Sequence, residues 1–213
     1  MNIKKGYNIP DCLELKKSSI HGLGIFATKF IPKGSNLGIC HYYDFSRAPL
    51  KKYLRNTLVP FFNYSKNKNA HLPIVKKDFE HGIGYVTELI TLKDIQKEEE
   101  ILLTYTWYDP TKPNTEDNKH YIPLPNCVSI KKINNKYCLY ATKNIEKNFD
   151  LGISHSYYDK TGVYEPNAIG GYLVESNKPN TFLYKKNNDL YLKSNLLIKK
   201  GDLISVDYEK TLE

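Results

Sequence analysis

Short runs of alternating apolar and polar residues dominate the chain. Cys12-Leu13-Glu14-Leu15 alternates as a strand with one buried face does. Residues 18–26 place Gly22 and Gly24 in a turn ahead of a second short strand. Ile31-Pro32-Lys33-Gly34 is a turn in which proline presets φ and glycine tolerates the left-handed region. Residues 37–44 are β-rich and aromatic, Phe61-Phe62-Asn63 runs from a buried strand into a polar loop, and 84–92 alternate again. Residues 93–99 form a turn, after which 101–108 make a closing strand. In this half only 44–59 admit a helix, of one or two turns around Pro49 to Leu54. Short strands punctuated by turns, with little helix, predict a mainly β fold.

The pattern occurs twice. Leu37-Gly38-Ile39-Cys40-His41-Tyr42-Tyr43-Asp44 returns as Leu151-Gly152-Ile153-Ser154-His155-Ser156-Tyr157-Tyr158-Asp159, and Ala27-Thr28-Lys29 returns as Ala141-Thr142-Lys143, both 114 positions later. A shared offset over separated matches marks an internal duplication. Later in the unit the offset falls to 103, from Ile95 to Ile198 and from Tyr105 to Tyr208, so the second copy has shorter late loops. Four prolines within 110–126 mark a linker. The predicted organisation is a leader at 1–11, a first unit at 12–110, a linker at 111–126 and a second unit at 127–213. His41 and His155 recur at the repeated position and are read as packing residues.

Composition changes the picture little. The chain has 213 residues, 40% of them hydrophobic and 18 of them tyrosine, with a net charge of +8. A nucleic-acid partner is disfavoured because 29 lysines stand against two arginines, Arg47 and Arg55, and the arginine fork is what base edges and phosphates select. Cys12, Cys40, Cys127 and Cys138 lack metal-ligand spacing, so no metal site and a reducing compartment are expected. No apolar leader or membrane-length run is present, which predicts a soluble intracellular protein with no membrane contact.

Three stretches in order carry a family resemblance: Ile20-His21-Gly22-Leu23-Gly24-Ile25-Phe26-Ala27; Phe62-Asn63-Tyr64-Ser65 followed by Asn69; and Asp94-Ile95 through Glu99-Glu100-Ile101-Leu102-Leu103-Thr104-Tyr105. They resemble the SET domain of protein-lysine methyltransferases, most of all the small stand-alone SET proteins of viruses and phages, here in tandem. The resemblance implies a β-clip fold with a knot-like crossing. It implies S-adenosyl-L-methionine as cofactor, held by Gly22, Leu23, Gly24, Asn63 and Tyr64. It makes Tyr105 the catalytic residue and Tyr43 and Tyr108 the lining of a channel for lysine. The implied substrate is a lysine-bearing protein, a histone-like tail or another host protein, and the implied assembly is a monomer whose two units form an intramolecular pseudo-dimer.

The residue types suit that chemistry. Methyl transfer is an in-line displacement in which alignment supplies much of the rate. Glycine lets backbone approach a ligand without an intervening Cβ, and an asparagine amide offers both donor and acceptor. A water-poor aromatic channel beside a sulfonium favours the neutral amine that must attack.

The two copies depart from the family pattern differently. The first has Tyr64 where the family has histidine, Lys68 where it has proline, and Val59-Pro60 where it has a glycine pair. The second keeps Gly170-Gly171 and Pro179-Asn180, but has Val174-Glu175-Ser176 for the asparagine motif and Lys136 and Cys138 for Gly22 and Gly24. One working site in the first unit is therefore expected, with the second a degenerate packing or substrate-binding pseudo-domain. The alternative is a catalytically inactive SET-like binding or assembly module.

Overall fold

The computed structural model describes residues 1, 3–5, 9–43, 53–55 (as backbone), 58–104 and 124–210. The chain divides into two compact units: an N-terminal unit, Asn8–Ile122, and a C-terminal unit that joins Met1–Tyr7 to Pro123–Glu213. The leader is thus split, its first residues belonging with the second half of the chain. Both units are mainly β, built of several small sheets and short 3-10 turns.

In the N-terminal unit, β1 (Leu13–Lys17) and β2 (Leu23–Ala27) form an antiparallel hairpin. The larger sheet is built on β3 (Asn36–Tyr43) and β8 (Gly82–Thr91), with β4 (Tyr53–Arg55), β6 (Ala70–His71) and β7 (Ile74–Phe79) around them. A third, two-stranded sheet pairs β5 (Asn63–Tyr64) in parallel with β9 (Leu102–Leu103). Ile25, Ala27, Val86, Leu89, Ile95 and Ile101 of this unit are fully buried.

Several local expectations change: Gly24 lies within β2 rather than in the turn before it, and Phe61 ends the 3-10 turn Val59–Phe61 rather than standing in a strand. Tyr53 and Leu54 are strand, not helix: their backbone pairs with β3, Tyr43 opposite Tyr53 and Tyr42 opposite Leu54. Strand β8 does not simply alternate, because Val86, Thr87, Glu88 and Leu89 are all buried. Successive side chains point to opposite faces, so this run of burial means both faces are covered, while β3 pairs with one edge of β8 and β6 and β7 with the other.

The C-terminal unit repeats this order. Its hairpin is β10 (Val128–Ile133) with β11 (Lys136–Ala141); its four-stranded sheet runs β13 (Val163–Pro166), β12 (Asp150–Tyr158), β16 (Asp189–Ser194), β15 (Thr181–Lys186). The parallel pair is β14 (Val174–Glu175) with β17 (Ser205–Val206).

The repeated Leu-Gly-Ile has a physical cause. β3 is bulged against β8 between Asn36 and Ile39 and between Ile39 and His41; β12 is bulged against β16 between Asp150 and Gly152 and between Ile153 and His155. The bulge demands a positive φ, which is +111° at Gly38 and +97° at Gly152. The Asn36 and Asp150 side chains accept from the glycine N–H at 2.9 and 2.8 Å. What returns in the sequence is a bulge with its own clamp.

Candidate functional site

The N-terminal unit gathers its polar chemistry where the hairpin meets the parallel pair. Gly22 has φ +52° and open space where a Cβ would stand, so its requirement is the turn itself. Gly24 is needed for close approach: a Cβ there would lie 2.1 Å from Glu100 Oε1, 2.8 Å from its carboxyl carbon and 3.1 Å from Asn63 Nδ2. Asn63 is buried and donates from Nδ2 to Glu100 Oε1 at 2.6 Å and to the Leu23 carbonyl at 3.4 Å. Ser18 donates to the other Glu100 oxygen at 3.0 Å. Leu23, Gly24 and Asn63, chosen from sequence, do converge. Tyr64 follows Asn63 in β5, half-buried, with Leu103 as its partner in register.

Glu100 is the residue that sequence reasoning missed. It ends a run of three glutamates with three different environments. Glu98 holds φ +69° and pairs with Lys16. Glu99 is pushed up by burial, but bonds from the Gln96 N–H, Lys93 and Asn69 outweigh that and hold it below the ordinary carboxylate range. Glu100 alone turns toward Asn63 and Gly24. The available signal was the second copy, which has Leu203 in the same register: Phe26 bridges Glu100 as Tyr140 bridges Leu203.

That comparison extends to the whole group. Ser65 N–H donates to the Leu103 carbonyl as Ser176 N–H donates to that of Val206, which sets Val174 in the place of Asn63. Ile101 N–H reaches the Ile25 carbonyl as Ile204 N–H reaches that of Leu139, which sets Cys138 in the place of Gly24. Glycine, amide and carboxylate in one unit are thiol, valine and leucine in the other. Asn69, by contrast, is kept because it is structural. It donates to the Glu100 carbonyl at 2.7 Å and accepts from Leu102 N–H at 2.7 Å, and Asn180 makes the matching bonds to Leu203 and Ser205 at 2.7 and 2.8 Å.

Tyr43 ends β3, half-buried, with Tyr53 and Tyr85 as its neighbours in register. Tyr105 and Tyr108 lie outside the described residues. No cluster of metal ligands occurs among the described residues, and none of their helices is long and apolar enough to cross a membrane.

The repeated histidines are buried in both units. His41 Nδ1 bonds Thr87 Oγ1 at 2.7 Å, and His155 Nδ1 bonds Ser154 Oγ at 3.0 Å. His155 is fully enclosed, and that burial pushes it down to about 3, against a weaker opposite pull from the Lys4 backbone. An unfolded histidine takes up its proton near pH 6.5, so below that the unfolded chain binds a proton that the folded one refuses. Stability should therefore fall as pH drops from about 6.5 toward 3, by up to ~1.4 kcal/mol per pH unit. Urea midpoints between pH 6.5 and 5, above most carboxylate titration, should show this slope in the native chain and lose it in His155→Phe. An equal slope in both would disprove the assignment.

Comparisons with known proteins add the following. No family model and no curated protein matches the sequence. Among solved structures, the chain is similar to a Plasmodium falciparum protein provisionally assigned as a histone methyltransferase, at 25% identity and a TM-score of 0.36, over 47% of this chain and 97% of that one. It is also similar to the methyltransferase domain of human PR domain-containing protein 2, at 12% identity and a TM-score of 0.19, over 93% of this chain and 78% of that one.

Proposed function

We propose that the N-terminal unit is an S-adenosylmethionine-dependent protein-lysine N-methyltransferase and that the C-terminal unit has no cofactor site. The observation that carries this is the Gly24, Asn63 and Glu100 group, together with its replacement by Cys138, Val174 and Leu203 in the other copy. A cofactor of this kind supplies an activated methyl group on a sulfonium, and it also carries an ammonium. The residues fit a cationic ligand: the Glu100 carboxylate and the Asn63 amide oxygen are acceptors, and the absence of a Cβ at Gly24 is what lets that carboxylate sit beside Asn63. Where the C-terminal unit has valine and leucine, those acceptors are gone and an ammonium would lose its partners.

In this reading Tyr105 orients the incoming amine, and Tyr43 and Tyr108 line its approach. Desolvation there favours the neutral amine. The substrate is a lysine of a protein chain, histone-like or otherwise.

Calorimetric titration of S-adenosylmethionine into the whole chain should show one site. Asn63→Ala should weaken it at least about tenfold, or ~1.4 kcal/mol, while Tyr105→Phe should cut turnover far more than binding. Two sites would refute the assignment of the C-terminal unit. Absence of binding would favour the second reading, an inactive binding module, whose support is that the Asn63 amide is already bonded to Glu100.

A further inference from the structure

The C-terminal unit carries an occupant. Ile3 bridges Tyr164 in parallel, and Lys4 N–H donates to the Tyr164 carbonyl at 3.1 Å, on the open side of β13, whose other side pairs with β12. An edge strand presents unpaired N–H and C=O groups, and extended segments add to such edges. Two lysines then anchor the segment. Lys4 reaches Glu165 at 2.9 Å; Lys5 reaches Glu175 at 2.6 Å and stands 5.5 Å over the Tyr208 ring. Glu175, Glu209 and Asp207 together hold the Lys5 ammonium above its ordinary value, the Glu175 bond most of all. Beneath the segment lies the enclosed His155, edge-on to Tyr208 at 5.8 Å.

This acidic rim belongs to one copy alone. By pairing register and offset, the places of Glu165, Glu175, Asp207 and Glu209 are held in the first half by Leu54, Tyr64, Thr104 and Thr106. Glu165 on β13 and Glu175 on β14 bond the two lysines directly, and Glu209 and Asp207, the latter also paired with Lys210, add to the field at Lys5; in a chain of net charge +8 that local acidity favours a basic ligand. Lys5 and Glu175 are half exposed, at 50% and 53%, and exposed pairs are weak, so the occupant is held loosely enough to exchange.

We infer that the C-terminal unit is a receptor for an extended peptide with two adjacent lysines, and that Ile3–Lys5 fills it in cis as a displaceable strap. The inference goes beyond the methyl-transfer reading and does not rest on it. Main-chain pairing to β13 gives the ligand its extended form, Glu165 and Glu175 read the two ammonium groups in order, and the Tyr208 face receives the second.

The probe is a labelled peptide of this chain's own residues 1–7, followed by fluorescence anisotropy. The Lys4→Ala/Lys5→Ala chain, whose strap is weakened, should bind it at least about tenfold tighter than the native chain, ~1.4 kcal/mol. Adding Glu165→Gln and Glu175→Gln should remove that gain. In the native chain, saturating peptide should speed amide exchange at Lys4, a readout that needs no variant to fold. No gain on weakening the strap, a gain that survives the glutamine changes, equal binding of a scrambled peptide, or unchanged exchange at Lys4 would each overturn the inference.

Discussion

Gly170→Ala should destabilise the C-terminal unit by about 3 kcal/mol, at the upper end of what one added methyl costs in a packed core. Its new Cβ would stand 2.2 Å from the Ser154 carbonyl oxygen and 2.8 and 3.0 Å from the His155 ring. The oxygen is backbone of the bulged strand β12, and the ring is fully buried and bonded to Ser154, so neither can swing aside. The 3-10 turn Gly170–Tyr172 would have to move away, taking buried Tyr172 with it. Chemical unfolding followed by circular dichroism checks this, scored on the transition that His155→Phe also shifts, because a chain of two units need not unfold in one step. A loss below about 0.5 kcal/mol would mean that the turn yields freely and the packing is misassigned.

The second large effect lies in the candidate site and is a coupling. Gly24→Ala drives a Cβ into Glu100 Oε1, so the carboxylate must leave Asn63 and Ser18. That should cost about 1–3 kcal/mol. Glu100→Ala loses the same two bonds but also empties the space the alanine needs. The double variant should therefore be more stable than the sum of the singles by roughly 1–2 kcal/mol. Simple additivity within about 0.5 kcal/mol would show that Gly24 is not held to glycine by Glu100. Cofactor affinity should fall in all three variants, because each disturbs Asn63 or removes its partner carboxylate. A cycle in which stability couples but affinity does not would separate the packing from the proposed function.

Glycine at the start of the Gly170–Tyr172 turn is not a rule of that turn, which the first unit repeats as Val59–Phe61. Leu58 and Ile169 accept the matching bonds from Phe61 and Tyr172, so Val59 stands where Gly170 does. Periodicity and propensity treat the two turns alike. The difference comes from the residue packed on the turn, His155 bonded to its neighbour Ser154, whereas His41 bonds across to Thr87 on β8. Of the helix expected around Pro49 to Leu54, 49–52 lie outside the described residues, and Tyr53 and Leu54 are strand because a ladder to β3 from Tyr53 to Arg55 outweighed a weak local preference.

Within the candidate site, Gly24 and Asn63 were legible because their types are unusual for a strand edge and fall in a recognisable order. Glu100 was not, because a glutamate in an acidic turn is ordinarily a solvated one. Only the tertiary pairing of Phe26 with Glu100 turns this one inward while Glu98 and Glu99 face other partners.

By itself, the sequence determined the internal repeat and the mainly β class, which depend on local periods and on matches within one chain; that Gly38 and Gly152 sit in bulges came from the strand pairing. Tertiary structure alone decided which of three consecutive glutamates meets Asn63, which glycine is pressed against backbone, and on which unit Ile3–Lys5 lies. Each of those depends on contacts between residues far apart in sequence, 161 positions for Lys4 and Glu165, where no local pattern carries information about the partner.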